Sequence, residues 1–474
     1  MPDAAAVDLG APRAVHLVGV GGAGISAIGI ILAAMGHRVT GADVTETGAW
    51  PSLLAAGVVP EVVAADELFA TAGPYGADLV AHSTAFPPTE ADRAEAAAAG
   101  RTIVDRAGIL AAICAARPTV AVSGTHGKTS TTAMLATLLD AAGQDPSYLV
   151  GAVPGALGRA AHWSAGGAFV VEADESDGTF LQLGADIAVV TNVDEDHLDY
   201  WGDIAAIEAA FERFLGAARV GIVCLDDPRG TDAADPRALR VAAASGAITV
   251  GEVPEARYRI HDVRVEHLTT AFGLTVDGQE VGPVRIGTPG RHHARNAAVA
   301  IAAAVELGVA LDAAVAAIGR YDGVARRFEV VGEAWGATIV DDYAHNPGKV
   351  RALLASAKEA GWDRVVAVFQ PHRYTRTRDL LADFGTALAV ADVVAICEVY
   401  GAGEPPIPGI TGRLLVGEVL DVRPWAEVAW VPTLADAAAW ARGALRPGDL
   451  CLTVGAGDVS RLGRDLVAAA GGAR

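Results

Sequence analysis

Short apolar runs recur along the chain, each closed by Gly, Ser, Thr or acidic residues. In the first half they are Val15-His16-Leu17-Val18, Val39 to Ala42, Leu79-Val80-Ala81, Thr119 to Val122, Phe169-Val170-Val171 and Ile187-Ala188-Val189-Val190. Ala337 to Val340, Val365 to Phe369, Val393-Val394-Ala395-Ile396 and Leu450 to Val454 continue the series. Consecutive apolar positions bounded by turn residues describe strands buried on both faces, as in parallel sheets covered by helices. Helical spacing fills the gaps. Met134, Leu135, Leu138 and Leu139 share a face of a helix over 131–141, another helix runs to about Met35 with Gly36 as its cap, and a third lies within 102–116. Residues 255–287 break the pattern: Tyr258-Arg259-Ile260, Val263-Arg264-Val265 and Phe272 to Val276 alternate with period two, and Asp277-Gly278 supplies a tight turn. An antiparallel excursion is expected there.

Strands alternating with helices over 474 residues predict an α/β chain of about three domains. The first, Rossmann-like, covers 1–116. Arg117-Pro118 leads into a central domain over 117–323, a parallel sheet of the P-loop ATPase type. A second Rossmann-like α/β domain covers 324–474.

The central assignment rests on the strand ending at Val122 and the loop Ser123-Gly124-Thr125-His126-Gly127-Lys128-Thr129-Ser130. Strand, glycine loop, Lys-Thr and helix make a cradle for a nucleotide polyphosphate. Loop N–H groups and the helix dipole face the phosphates, the Lys128 ammonium reaches the outer ones, and the Thr129 hydroxyl ligates magnesium. The strict motif has a glycine where Val122 stands, so the pattern here is the shorter Gly-x-x-Gly-Lys-Thr. Lysine usage adds weight: Lys128, Lys349 and Lys358 are the only lysines of an arginine-rich chain, and a compact ammonium suits a phosphate. ATP and Mg²⁺ are the expected ligands.

Other strand ends carry chemistry of their own. Gly19-Val20-Gly21-Gly22-Ala23-Gly24, followed by Asp43 at the end of the next strand, has a dinucleotide-binding layout with an acid placed for a ribose hydroxyl. Its glycines serve either a phosphate-bearing ligand or close helix–strand packing. His82-Ser83-Thr84 closes another strand. Two acidic clusters, Glu172 to Asp177 and Asp194 to Asp199, begin where buried strands end; their oxygens, with His197, are metal ligands or else solvated turns. His292 and Asn296 open an alanine-rich helix, where they contact a base or cap the helix. Arg373, Arg376 and Arg378 gather after Phe369, an anion site or a solvated basic loop.

Composition narrows the classes. The net charge is −21, which argues against nucleic acid and anionic membrane surfaces as partners. No apolar run approaches the ~20 residues of a membrane span, and the acidic stretch Met1 to Gly10 lacks a signal-peptide plan, so a cytoplasmic protein is expected. Cys114, Cys224, Cys397 and Cys451 have no metal-site spacing and read as reduced core thiols.

Gly-Thr-His-Gly-Lys-Thr, Glu-Ala-Asp-Glu-Ser-Asp, Asp-His-Leu-Asp, Arg-Arg-Phe-Glu, Asp-Asp-Tyr-Ala-His-Asn-Pro, Gln-Pro-His-Arg-Tyr-Thr-Arg-Thr-Arg and Gly-Ala-Gly-Asp follow one another along the whole chain. In this order they resemble the Mur ligases of peptidoglycan synthesis, and among them the alanine-adding branch. The resemblance implies an ATP-dependent ligation of L-alanine to the lactyl carboxylate of UDP-N-acetylmuramate through an acyl phosphate. It implies that Gly124, Thr125, His126, Gly127, Lys128, Thr129 and Ser130 bind the ATP phosphates. His292 and Asn296 would meet adenine, Asp341 the ribose and Arg327 the outer phosphates. Thr129 and Glu172 would hold one magnesium and His197 a second, with Lys128, Glu172 and His197 catalytic. Gly21, Gly22 and Gly24 would cradle the UDP pyrophosphate beside His82, Ser83 and Arg106. Tyr343, His345, Arg373 and Arg376 would receive the amino acid. A monomer and a homodimer are equally compatible. Two departures stand out. His293 replaces the Asn usual in the adenine motif. No lysine lies between Lys128 and Lys349, so the carbamylated lysine of several sister enzymes has no counterpart, in keeping with the alanine-adding branch.

Overall fold

A computed structural model of the protein describes residues 7–227 and 233–471; residues 1–6 of the acidic N-terminal stretch lie outside the described residues. Three sheets are present. The first is parallel and five-stranded, in the spatial order Val59–Val62, Arg38–Asp43, Ala14–Val18, Leu79–His82, Thr102–Asp105. The second has ten strands. At its centre Thr119–Ser123 pairs in parallel with Phe169–Glu172 on one side and Ile187–Val190 on the other. Val220–Cys224 and Ile248–Gly251 extend it in parallel, and Tyr258–Glu266, Thr269–Val276 and Gln279–Ile286 complete that side as the predicted excursion. The third sheet runs Glu329–Ala334, Ala337–Asp342, Asp449–Val454, Arg364–Phe369, Val393–Ile396, Glu427–Trp430, parallel except for its first pair.

By packing, the chain forms two compact units. One contains Met1–His261 with Gly273–Val284 and Arg295–Tyr321; the other contains Asp322–Arg474 with Asp262–Phe272 and Arg285–Ala294. The first two sheets share a unit because they share a core. Helices Ala23–Ala34 and Arg106–Cys114 of the first sheet lie against Ala161–His162 and the turn Thr179–Gln182 of the second. One apolar cluster runs from Ile25, Ile28 and Ile113 through Phe169 and Phe180 to Phe211. The second unit has apolar layers on both faces of its sheet, one around Phe369, Phe384 and Leu388, the other around Ile339, Val368 and Leu462. The four cysteines are buried and unpaired, and burial pushes each thiol up to about 12. Among the described residues no helix is long and apolar enough to cross a membrane.

His16 is fully buried in the first sheet. Thr71 Oγ1 donates to the Leu68 carbonyl at 3.0 Å, so it accepts from His16 Nε2–H at 3.0 Å; His16 Nδ1 then accepts from Thr40 Oγ1 at 2.8 Å. Both ring nitrogens of the neutral form are satisfied, and burial lowers the imidazole from 6.5 to about 4. The unfolded chain binds this proton more readily, so stability falls as pH drops through 6.5 towards 4, by up to about 3 kcal/mol for this group. Urea unfolding of wild type and His16→Gln across that window checks it: the wild-type curve is steeper, and parallel curves would refute the account.

Candidate nucleotide and amino-acid sites

The phosphate-type loop lies at the carboxyl end of Thr119–Ser123, and its helix begins earlier than the apolar spacing suggests, at Lys128 rather than 131. Lys128, Thr129 and Ser130 therefore form the first helical turn, where N–H groups lack intrahelical acceptors. Gly124 and Gly127 have φ of 122° and 82°, a region L side chains avoid. A Cβ at Gly124 would run into Thr191 Oγ1, and one at Gly127 would come within 3.0 Å of Asn296 Oδ1. The neighbouring strand end holds the loop's shape. Asn192 Oδ1 accepts from the His126 N–H at 2.9 Å, the Asn192 amide and Thr191 hydroxyl donate to His126 O at 2.8 and 2.6 Å, and Thr125 Oγ1 accepts from Asp194 N at 2.9 Å. His126 Nε2 lies 3.5 Å from Asp194 Oδ2.

The first acidic loop reaches the same place. Thr129 Oγ1 donates to Glu172 Oε1 at 2.9 Å, while Glu172 Oε2 accepts from Gly151 N at 2.7 Å. A hydroxyl and an anchored carboxylate thus converge at the mouth of the loop. That oxygen-donor set fits Mg²⁺, which takes few protein ligands and completes its shell with phosphate and water. Among the described residues no cluster of three His, Cys, Asp or Glu side chains could hold a metal by itself. His197 stands apart from Thr129 and Glu172. It sits at φ 53° before the short helix Leu198–Trp201, with Nε2 3.8 Å from Glu175 Oε1 and 3.9 Å from Asp196 Oδ2.

Glu175 has a role the sequence did not single out. The Lys128 ammonium donates to Gly124 O at 2.8 Å and lies 2.9 and 2.7 Å from the two Glu175 oxygens. Glu175 is 3% exposed, and burial raises its carboxyl against the lowering effect of Lys128. A carboxylate and a carbonyl therefore hold the lysine at the loop. The signal was a third carboxylate in Glu-Ala-Asp-Glu, which the spacing alone does not distinguish from Asp174.

In the first sheet, Gly22 precedes the helix Ala23–Ala34 and its carbonyl accepts from Ser26 N. Asp43 is committed to the backbone rather than presented to a ribose: its two oxygens accept from Gly21 N and Val44 N, each at 2.8 Å. A Cβ at Gly21 would meet Thr47 and Trp50, and one at Gly24 would touch Arg106 Cδ at 3.4 Å. The loop is therefore closely packed, with Arg106 beside it and 3.6 Å from Asp177 of the acidic loop. His82 is buried, with Nδ1 3.0 Å from Ser83 O, and Ser83 Oγ accepts from Ala85 N.

On the helix Arg291–Glu306, Asn296 is buried against Gly127, and His292 precedes it by about one turn. His293 turns inward instead: it is buried, its Nδ1–H donates to Pro289 O at 2.9 Å, and burial lowers it to about 4. The substitution of His for the usual Asn is thus filled by a structural, neutral imidazole.

In the second unit, Asp341 is buried at the end of its strand, accepting from Thr453 Oγ1 at 2.7 Å and lying 3.4 Å from Arg326 Nε; burial raises its carboxyl. Arg326, not Arg327, is the arginine turned to Asp341; at φ 60° it also donates to Gly455 O at 2.7 Å and covers the Tyr343 ring at 4.8 Å. The Arg327 side chain makes no hydrogen bond or ion pair among the described residues; burial raises the neighbouring Asp342 carboxyl to about 6 against the opposing charge of Arg327. His345 Nδ1–H donates to Tyr343 O at 2.9 Å, and its ring meets Tyr343 edge-on. Burial, then the nearby arginine, lysine and histidine, hold His345 down at about 4, so it presents Nε2 as an acceptor. Arg376 donates to His372 Nδ1 at 3.3 Å, and His372 stacks on Tyr400. Burial and Arg373 both press Arg376 below its ordinary value. Arg373, at φ 72°, is 3.9 Å from Glu404. His345 thus lies between the Tyr343 and His372 rings, and Arg376 hydrogen-bonds His372.

Strand, glycine loop, Lys-Thr turn and two acidic loops on one sheet edge make a candidate nucleotide-phosphate site. Comparison with known proteins gives its family. Residues 14–118 match the Mur ligase family, catalytic domain, residues 122–304 the Mur ligase middle domain, and residues 326–457 the Mur ligase, glutamate ligase domain. The chain belongs to the Mur ligase family. It is 40% identical over 472 residues to the UDP-N-acetylmuramate–L-alanine ligase of Sorangium cellulosum, covering 97% of each chain. To the enzyme of that name from Pelotomaculum thermopropionicum it is 38% identical, covering 96% of this chain and 97% of the relative. The crystal structure of the UDP-N-acetylmuramate-alanine ligase of Thermotoga maritima is similar with a TM-score of 0.78 at 26% identity, covering 96% of this chain and 99% of that one.

A Gly124→Ala substitution pushes Cβ into Thr191, so the loop must shift. We expect a loss of about 1–3 kcal/mol in urea unfolding and faster amide exchange at His126, whose N–H is held by Asn192. Unchanged exchange at His126 would show that the loop does not depend on this packing.

Proposed function

We propose that this chain joins L-alanine to the lactyl carboxylate of UDP-N-acetylmuramate with ATP, releasing ADP and phosphate. The observation that carries the reading is the convergence of Lys128, Thr129 and Glu172 at the mouth of the glycine loop, together with 40% identity along the chain to an enzyme of that name. A carboxylate is a poor acyl donor because oxide is a poor leaving group. Its oxygen therefore attacks the γ-phosphorus, and the bond from that phosphorus to the β-bridging oxygen breaks, releasing ADP. The alanine amine, having lost a proton from its ammonium form, next attacks the acyl carbon. Phosphate leaves with one of the original carboxylate oxygens, and nitrogen gives up a second proton to form the amide.

Each group has a physical task. Lys128 exchanges Glu175 for phosphate oxygens, so the cation is already in place and the carboxylate of Glu175 yields it. Charge on the transferring phosphoryl is the main barrier when two anions meet, and a fixed ammonium lowers it without reorganisation. Thr129 and Glu172 would hold Mg²⁺, with His197 at a second position; the ion supplies further neutralisation of the triphosphate. Asn296, packed on Gly127, and His292 would bind adenine, Asp341 the ribose and Arg327 the outer phosphates. Gly21, Gly22, Gly24, His82, Ser83 and Arg106 would receive the UDP-sugar. Arg376, pressed below its ordinary value by burial and Arg373, hydrogen-bonds the ring and carbonyl of His372 and, among the described residues, makes no ion pair, so an amino-acid carboxylate would give it a counter-charge; Arg373, Tyr343 and His345 complete that set. Consistent with this reading, we assign the three domains to 1–116 for the UDP-sugar, 117–323 for ATP and 324–474 for the amino acid, in a cytoplasmic enzyme.

The decisive experiment labels the lactyl carboxylate with ¹⁸O. Incubated with ATP, Mg²⁺ and alanine, the enzyme should deliver one label to the released phosphate, and unlabelled phosphate would overturn the acyl-phosphate route. Lys128→Ala should lower kcat by at least about a thousandfold with an unchanged circular dichroism spectrum; wild-type turnover would remove the lysine from the mechanism. Arg376→Ala should raise KM for alanine about tenfold or more and leave KM for ATP within about twofold. A change confined to ATP would reassign the residue.

A further inference from the structure

Arg295 sits between two candidate adenine-helix residues that the sequence picks out, yet it faces another way. Its Nε lies 3.2 Å from Asp226 Oδ2 and donates to Glu252 Oε1 at 3.0 Å, and its terminal nitrogen is 2.9 Å from the same Glu252 oxygen. A further N–H donates to Asp227 O at 3.4 Å. Asp226 is 3% exposed and accepts the Glu252 N–H at 2.9 and 3.0 Å. It thereby joins the carboxyl ends of Val220–Cys224 and Ile248–Gly251, which pair in parallel. The next residue along the helix, Asn296, lies against Gly127, the left-handed turn of the phosphate loop.

The helix start is thus tied at two adjacent positions to two different strand ends of one sheet. Adjacent helical residues point about 100° apart. Fixing one therefore fixes the rotation of the other. An Arg–carboxylate network of this kind is weak evidence for stability, because desolvation offsets much of the attraction, but its forked geometry defines direction well.

We propose that Arg295 is a positioning residue: through Asp226 and Glu252 it sets the rotation of the helix Arg291–Glu306, and so the pose of the Asn296 amide at the nucleotide base. This rests on the reading of Asn296 as an adenine contact. Arg295 touches no substrate; it acts through its neighbour. Loss of the network lets the helix start turn, and nucleotide binding and base discrimination suffer while the other two substrates do not notice.

The test uses the full chain with steady-state kinetics for all three substrates, the ATP-over-GTP preference in kcat/KM, and thermal unfolding. Arg295→Met should raise KM for ATP about tenfold, narrow the ATP-over-GTP preference by a similar factor, and leave KM for UDP-N-acetylmuramate and alanine within about twofold. Arg295→Lys, which keeps a cation between the two carboxylates, should recover part of the preference. A lowered Tm with the preference intact, or all three KM values rising together, overturns the proposal. Should Arg295→Met not fold, Glu252→Gln keeps the Asp226 pair and should shift the preference in the same direction by a smaller factor; no shift overturns it. Asn296→Ala run in parallel separates the two layers. If it narrows the preference and the Arg295 variants do not, only the positioning role fails. If it leaves the preference unchanged, the adenine reading fails, and the positioning role with it.

Discussion

The parallel pairing of Thr119–Ser123 between Phe169–Glu172 and Ile187–Val190 is the constraint from which the candidate nucleotide site follows. Parallel strands end on the same edge of a sheet, and residues following each one are delivered to that edge together. Here the register sets Val122 beside Glu172 and Ser123 beside Val190. The glycine loop and the acidic loops therefore begin at one level. That is why Thr129 and Glu172, 43 positions apart in the chain, meet at hydrogen-bond distance. A one-residue slip would send Glu172 to the other face of the sheet and take its carboxylate away from Thr129.

The same edge explains how an acidic protein keeps a cation ready. The chain carries 57 acidic residues against 36 lysines and arginines, so its overall field disfavours polyphosphates. Pairing with Glu175 gives Lys128 a counter-charge in its part-buried position. On the proposed reading, phosphate substitutes one anion for another, a smaller change than bringing a free lysine out of water. The two glycines with positive φ are the backbone cost of this arrangement, and Asn192, Thr191 and Asn296 hold that backbone in place.

The fold was legible where burial is two-sided. Ile187–Val190 and Val393–Ile396 are buried at every position, and their apolar runs announce them. Val59–Val62 lies on a sheet edge, half-exposed, and Pro60 and Glu61 interrupt its apolar residues; Glu427–Trp430 is also a half-exposed edge strand. Glu329–Ala334 is an edge strand broken by an irregularity at Gly332. Within the sites, Lys128 and Thr129 could be read because they follow the loop's last glycine, and Glu172 because it closes a buried strand. Partnership was harder. Asp43 has the position of a ribose-binding acid but its oxygens are taken by Gly21 and Val44. Arg326 and Arg327 are adjacent, and only the left-handed backbone at Arg326 decides which of them turns to Asp341.

At His293 a motif position is given over to structure. The motif's usual Asn offers a donor and an acceptor side by side, whereas a neutral imidazole offers one of each on opposite edges. His293 uses its donor on Pro289 O, two residues before the helix Arg291–Glu306 begins, and its burial keeps the ring neutral. It therefore anchors the loop into the helix rather than pointing a polar group outward. With that position given over to structure, the proposed contact with a base is left to His292 and Asn296. Two positions later Arg295 ties the same helix to Asp226 and Glu252, so its first turn is anchored both to the loop that precedes it and to two strand ends.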